Sequence, residues 1–174
     1  MKRILLVSER RADYSKFRPI LKAIALSKKL DYDLIVTGSH LQDRSGRTIN
    51  EIRKDGFKIT ETFQMYNKRQ PDTGIGMAKA FGKAVMNLSR IINELKPDLI
   101  LVGFDIGANL AAAIVGAHAN IVVAHVEGGD ATGTIDEPIR HSISKFAHIH
   151  FTSNKKATET LVKMGEERKN IFTV

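Results

Sequence analysis

The sequence predicts an α/β fold, a Rossmann-like, doubly wound and mostly parallel sheet with helices on both faces. Three observations predict it. Short, β-branched apolar runs alternate with stretches of helical periodicity over the whole length. The residues able to do chemistry cluster directly after those runs, where open α/β sheets place their sites. The length of 174 residues, with 43% hydrophobic and 26% charged residues, suits one domain spanning 1–174 with a sizeable core.

The elements follow in order. Residues 4–7 (Ile-Leu-Leu-Val) form a first strand, because this run is far too short for a signal peptide or a membrane span despite the charge before it. A helix over 14–28 carries Phe17, Ile20, Leu21, Ile24 and Ala25 at helical spacing, with Lys16, Lys22 and Lys29 outside that set. Strands are predicted at 32–37 and 58–63, then a loose loop over 64–76 centred on Asn67 to Asp72. The helix over 75–95 ends at Lys96-Pro97-Asp98, because proline biases its predecessor away from the α region. Strand 99–102, helix 108–117, strand 121–125, helix 137–146, strand 149–152, helix 154–164 and strand 171–174 complete the pattern, with Gly165 as a C-cap candidate. The chain ends on this last strand with no polar tail, so it reads as the front part of something longer.

Composition excludes several classes of function. The absence of cysteine rules out disulfides, zinc–thiolate sites, iron–sulfur clusters and thiol nucleophiles, and permits a reducing, cytoplasmic location. The formal charge of +8 attracts polyanions, yet the basic residues are dispersed over outer helix faces without interleaved aromatics. Solvated surface and attraction to a small phosphorylated ligand therefore explain the charge better than nucleic acid does.

The richest segment is His125-Val126-Glu127-Gly128-Gly129-Asp130, followed by Asp136-Glu137-Pro138-Ile139-Arg140-His141. Closely spaced carboxylates can divide acid and base duties, and paired glycines let backbone approach a ligand. Asp136 and Glu137 also suit the start of a helix, with Arg140 and His141 one turn on. His125 and Glu127 share a face if the strand continues, but a third metal ligand at suitable spacing is missing, so no metal is expected. His148 and His150 read as packing residues.

Other strand ends supply further candidates. Arg11, in the first loop, can pair with a phosphate at a helix N-terminus, whereas Asp13 can simply cap that helix. His40, after the second strand, can touch a ligand or hold the turn. Asp105 is the one ionisable group in the turn after the fourth strand and suits either acid–base work or capping. No Gly-x-Gly-x-x-Gly occurs in the first loop, so no nicotinamide cofactor is expected.

Taken together, Arg11-Ala12-Asp13-Tyr14, Gly38-Ser39-His40-Leu41, Lys96-Pro97-Asp98, His125 to Asp130, Asp136-Glu137-x-x-Arg140-His141 and Lys145-x-x-His148-x-His150-Phe151 resemble the hydrolysing UDP-N-acetylglucosamine 2-epimerases of the sialic-acid pathway. The resemblance runs from Met1 to Val174 and implies the N-terminal half of a glycosyltransferase-B-like, two-domain fold, the C-terminal nucleotide-binding domain lying outside this chain. It implies elimination of UDP from a UDP-2-acetamido sugar, hydration of the resulting glycal to N-acetylmannosamine, no cofactor, and a homo-oligomer. It places Asp105, Glu127 and Asp136 as catalytic carboxylates and Arg11, His40, Gly128, Gly129, Glu137, Arg140 and His141 in substrate binding.

The chain departs from the family pattern in two loops. Phe104, Ile106 and Ala108 stand where a glycine, an arginine and an acidic residue are usual, and Glu9 replaces a glycine. Bulk at Phe104 and charge at Glu9 are expected to crowd a nucleotide sugar. This implies either a related substrate, such as a diacetylated bacillosamine nucleotide, or a non-catalytic module for sugar-nucleotide binding or subunit contact.

Overall fold

The computed structural model describes residues 1–67, 73–104 and 107–174. A seven-stranded sheet runs in the order β3-β2-β1-β4-β5-β6-β7. Its strands are β1 (Lys2–Ser8), β2 (Leu30–Val36), β3 (Glu61–Thr62), β4 (Leu99–Gly103), β5 (Val122–Val126), β6 (Ile149–Thr152) and β7 (Ile171–Thr173), and every pairing is parallel. The helices are α1 (Arg11–Leu26), α2 (Ile49–Lys54), α3 (Gly74–Leu95), α4 (Gly107–His118), α5 (Asp136–Phe146) and α6 (Lys155–Lys163).

Alternation along each strand divides the core between two faces. Leu6, Leu34, Val36 and Leu101 pack under α1 and α2 through Tyr14, Phe17, Leu21, Ile24, Ile49 and Ile52. Leu5, Val7, Ile35, Ile100, Val102 and Val123 pack under α3, α4 and α5 through side chains such as Ala84, Leu88, Ile91, Ala112 and Ile143. Each large side chain buried this way contributes about 1.5–3 kcal/mol relative to exposure. Right-handed crossovers explain the division, since connections running outward from β1 in opposite directions must cross opposite faces. The strand order reverses between β1 and β4, so the loops after β1, β4 and β5 diverge around one crevice.

The predicted fold class stands, with local corrections. Helix α1 begins three residues earlier than expected, because Asp13 reaches back to accept the Arg10 N–H at 3.0 Å and opens the helix there. Helix α2 was not foreseen, as six residues with two buried apolar side chains, Ile49 and Ile52, are too few to reveal a period. The strand expected over 58–63 pairs only at Glu61–Thr62, on the sheet edge. The centre of the expected loop, residues 68–72, lies outside the described residues. Among the described residues no helix is long and apolar enough to cross a membrane.

Candidate active site

The first wall of the crevice is the loop from β1 into α1. Ser8 and Asp13 are buried beneath it, and the Asp13 carboxylate accepts N–H groups from Glu9 at 2.8 Å, Arg10 at 3.0 Å and Tyr14 at 2.7 Å. Burial nevertheless pushes the Asp13 pKa up to about 6, against those donors, because little solvent reaches its charge. A chain of buried bonds extends from it: the Ser8 hydroxyl donates to Asp13 at 3.2 Å, His40 Nε2 donates to Ser8 Oγ at 2.9 Å, and the Thr48 hydroxyl donates to His40 Nδ1 at 2.7 Å. This tautomer follows from the acceptor-only carboxylate at the end of the chain. Burial keeps the His40 imidazole neutral, with its pKa down to about 4. The loop that carries Arg10 and Arg11 is thus bolted from below to the turn after β2.

The second wall is the turn after β4. Phe104 adopts a left-handed backbone, φ 68°, with its N–H on the Val126 carbonyl at 3.1 Å. Its ring packs against Phe17 at a centroid separation of 5.3 Å. Gly103 N–H donates to Asn109 Oδ1 at 2.9 Å, and Asn109 Nδ2 donates to the Val7 carbonyl at 3.1 Å, which ties this turn to β1.

The third wall follows β5. Glu127 also has a left-handed backbone, φ 61°, with its N–H on the Phe151 carbonyl at 2.8 Å. The strand has ended by then, so His125 and Glu127 do not act as a pair on one face. His125 is fully buried, its Nε2 donating to the Phe104 carbonyl at 3.2 Å and its Nδ1 accepting from the Ser144 hydroxyl at 3.0 Å. Burial drives its pKa down to about 3. Its neutral ring is a strut between β4, β5 and α5.

The walls meet in a cavity of about 340 Å³ lined by Arg10, Ala12, Asp13, Lys16, Phe104, Glu127, Asp130, Thr132 and Arg140. Lys16 forms an ion pair with Glu127, and its ammonium lies 4.5 Å from the centre of the Phe104 ring. Arg140, largely buried on α5, donates to the Asp130 carbonyl at 2.7 Å. A larger cavity, about 710 Å³, opens between α3 and α4, but no carboxylate lines it. The smaller one therefore has the chemistry: Asp13, Glu127 and Asp130 share its lining with Arg10, Lys16 and Arg140, and carboxylates among cations suit proton transfer next to an anionic substrate. Among the described residues no group of three or more side chains is placed to hold a metal ion.

The residues singled out in the sequence are placed unequally. Glu127 and Arg140 line the cavity. Arg11 instead lines a separate groove with Tyr14, Ser15, Arg18 and Glu51, and its neighbour Arg10 lines the cavity. His40 is buried with both nitrogens engaged inside the protein, so its ring does not reach the cavity. The paired glycines serve packing: a Cβ on Gly128 would stand 2.8 Å from His125 Nδ1, and one on Gly129 only 2.3 Å from the Ala157 carbonyl oxygen of α6. Asp136, Glu137 and His141 occupy the first turns of α5. Glu137 accepts the Thr132 and Gly133 N–H groups at 2.7 Å each, and these hold its pKa below the usual carboxylate value. Asp105 and Ile106 lie outside the described residues.

Glu9 departs most from expectation. Its carboxylate is buried, accepts the Tyr66 hydroxyl and the Ala108 N–H at 2.8 Å each, and so caps α4 without facing the cavity. Lys16, which the sequence suggested was merely outward-facing, is the residue most clearly missed. Its position one turn beyond Arg11 and Ala12, on the helix that opens the first loop, was the available signal.

The fold and site together define a Rossmann-like α/β domain with a pocket of carboxylates and cations at the switch point of its sheet. The profile of the UDP-N-acetylglucosamine 2-epimerase family matches residues 22–174, and the chain belongs to that family. It is 39% identical, over its whole length, to a UDP-N-acetylglucosamine 2-epimerase of Neisseria meningitidis, 45% of which it covers. It is 37% identical to a hydrolysing UDP-N,N'-diacetylbacillosamine 2-epimerase of Legionella pneumophila, covering all of this chain and 46% of that one. The chain thus spans under half the length of these relatives. Among solved structures it resembles a Methanocaldococcus jannaschii UDP-GlcNAc 2-epimerase in complex with UDP-GlcNAc and UDP, with a TM-score of 0.83 at 22% identity, over 100% of this chain and 46% of that one. A Neisseria meningitidis UDP-GlcNAc 2-epimerase bound to UDP-GlcNAc gives a TM-score of 0.85 at 18% identity, over 98% and 45%. The architecture is that of the N-terminal half of a glycosyltransferase-B-like fold.

Proposed function

We propose that this chain supplies the acid–base wall of a hydrolysing 2-epimerase acting on a UDP-2-acetamido sugar. The observation that carries the reading is Glu127, held in left-handed backbone at the end of β5 and flanked in one cavity by Lys16, Arg10 and Arg140. In the first step the C1–O bond breaks, UDP departs with its electron pair, and a carboxylate takes the C2 proton to leave a 2-acetamidoglucal. In the second step water adds its hydroxyl to C1 and a proton returns to C2 from the opposite side, giving N-acetylmannosamine. Glu127, Asp105 and Asp136 share these proton transfers, and the cations balance the diphosphate charge as it develops. Glu137 orders the loop ahead of α5, Arg11 and His141 meet the substrate from outside the cavity, and the protein is a cytoplasmic homo-oligomer.

The full-length protein carrying this chain, given UDP-N-acetylglucosamine in D2O, is expected to release UDP by 31P NMR and to yield N-acetylmannosamine deuterated at C2. Formation of UDP-N-acetylmannosamine with the nucleotide retained would sink the hydrolysing reading. Release of neither product would sink this substrate assignment. A second substrate, UDP-N,N'-diacetylbacillosamine, is favoured by the 37% identity to the Legionella pneumophila enzyme, and by 35% identity to a Campylobacter jejuni GDP/UDP-N,N'-diacetylbacillosamine 2-epimerase. The same assay on that nucleotide decides between them by the ratio of kcat/KM values.

A further inference from the structure

Three side chains in the cavity form a unit that the proposed chemistry does not by itself require. Phe104 and Glu127 sit at the ends of neighbouring strands, and both hold left-handed backbone that glycine would adopt without strain. Lys16 reaches them from α1, its ammonium over the Phe104 ring at 4.5 Å and ion-paired with Glu127. The ring is fixed from behind by Phe17, and its backbone by the bond to the Val126 carbonyl. The Lys16 side chain is otherwise half exposed on four rotatable bonds, so the ring and the carboxylate together confine its ammonium to the cavity.

We infer that Phe104 is a positioning residue for this site: its ring face holds the Lys16 ammonium against Glu127 and thereby fixes where the carboxylate points. An aromatic face attracts a cation through its quadrupole, and an aliphatic side chain of similar size does not. The strain at Phe104 then has a use, because φ 68° is what turns the ring from the strand end toward Lys16 and Phe17. The inference rests on the acid–base reading of Glu127 for its kinetic readout but not for its spectroscopic one.

The test compares wild type, Phe104→Leu and Phe104→Tyr in the full-length protein, each checked for folding by its melting curve. In wild type the Lys16 ε-methylene protons are expected upfield of the other lysines through the ring current, a displacement lost in Phe104→Leu and kept in Phe104→Tyr. With UDP-N-acetylglucosamine, kcat is expected to fall about two- to fivefold in Phe104→Leu, the loss appropriate to a partly exposed cation–π contact, with a smaller change in KM and recovery in Phe104→Tyr. Unshifted Lys16 protons in wild type, or an unchanged kcat in Phe104→Leu, would overturn the inference. If wild type turns over no UDP sugar, the proposed function fails separately. The Glu127 carboxyl carbon then decides: its resonance must move in Phe104→Leu and return in Phe104→Tyr, and a resonance that stays put overturns the positioning role.

Discussion

Replacing Gly129 by alanine tests whether the paired glycines serve packing or ligand approach. Gly129 has φ 88°, and an added Cβ would lie 2.3 Å from the Ala157 carbonyl oxygen, 2.9 Å from its carbon and 3.0 Å from Leu161 Cγ. Two of these are backbone atoms of α6, so relief requires the helix to move. Left-handed backbone costs a non-glycine residue about 1–2 kcal/mol, and forcing extra volume into a packed contact costs about 1–3 kcal/mol. Gly129→Ala should therefore destabilise by about 2–5 kcal/mol. Gly133 is the control: its φ is 70° but nothing lies within 4 Å of an added Cβ, so Gly133→Ala should cost only the backbone part, about 1–2 kcal/mol. Urea unfolding of the two variants beside wild type measures the difference, which corresponds to roughly 2–4 °C in Tm per kcal/mol for a domain of this size. Equal losses in the two variants would refute the close approach of the β5 turn to α6. A stable Gly129→Ala protein that had lost only substrate affinity would restore the ligand-approach reading.

Three further outcomes follow from buried or strained groups. Phe104→Gly relieves left-handed strain worth about 1–2 kcal/mol but deletes a buried ring worth about 3–5 kcal/mol, so burial should win and chemical denaturation should show a net loss. Asp13 has its pKa raised from 3.8 to about 6, so its contribution to stability is fully present below 3.8 and is lost as pH rises through about 6; the full difference is about 3 kcal/mol. Unfolding free energies of wild type and Asp13→Asn between pH 4 and 7 should differ in slope accordingly, and parallel curves would remove Asp13 as the source. Glu137→Gln should weaken the two bonds to Thr132 and Gly133 and speed exchange of those amide protons, measured by NMR, with little change elsewhere in α5.

The legible part of this protein was whatever depends on local periodicity. Apolar runs such as Ile4 to Val7 and Leu99 to Val102 are strands because each alternate side chain finds a covered face, and the spacing of Phe17, Leu21 and Ile24 marks a helix wherever it lands. Helix α2 escaped because two buried apolar side chains in six residues do not make a period, and the strand expected over 58–63 shortened to Glu61–Thr62 because only those residues pair with β2. In the candidate site, Glu127 and Arg140 were recognisable by type and place, each close to the carboxyl end of β5. Arg10 and Lys16 were not, since which of several consecutive side chains faces inward depends on where α1 begins.

Hydrophobic spacing and residue type are local properties, and from them alone came the parallel α/β architecture and a carboxylate-rich segment at the carboxyl end of β5. Only the tertiary structure decided what each polar residue does there. Burial turned His40, His125 and Glu9 inward, as internal partners satisfy groups that solvent no longer reaches. The approach of α6 made Gly129 a packing glycine, and residues 88 and 111 positions apart in sequence came together where the Phe104 ring and Glu127 enclose Lys16. Such juxtapositions follow from the register of the sheet and the crossing of helices over it, which local sequence does not encode.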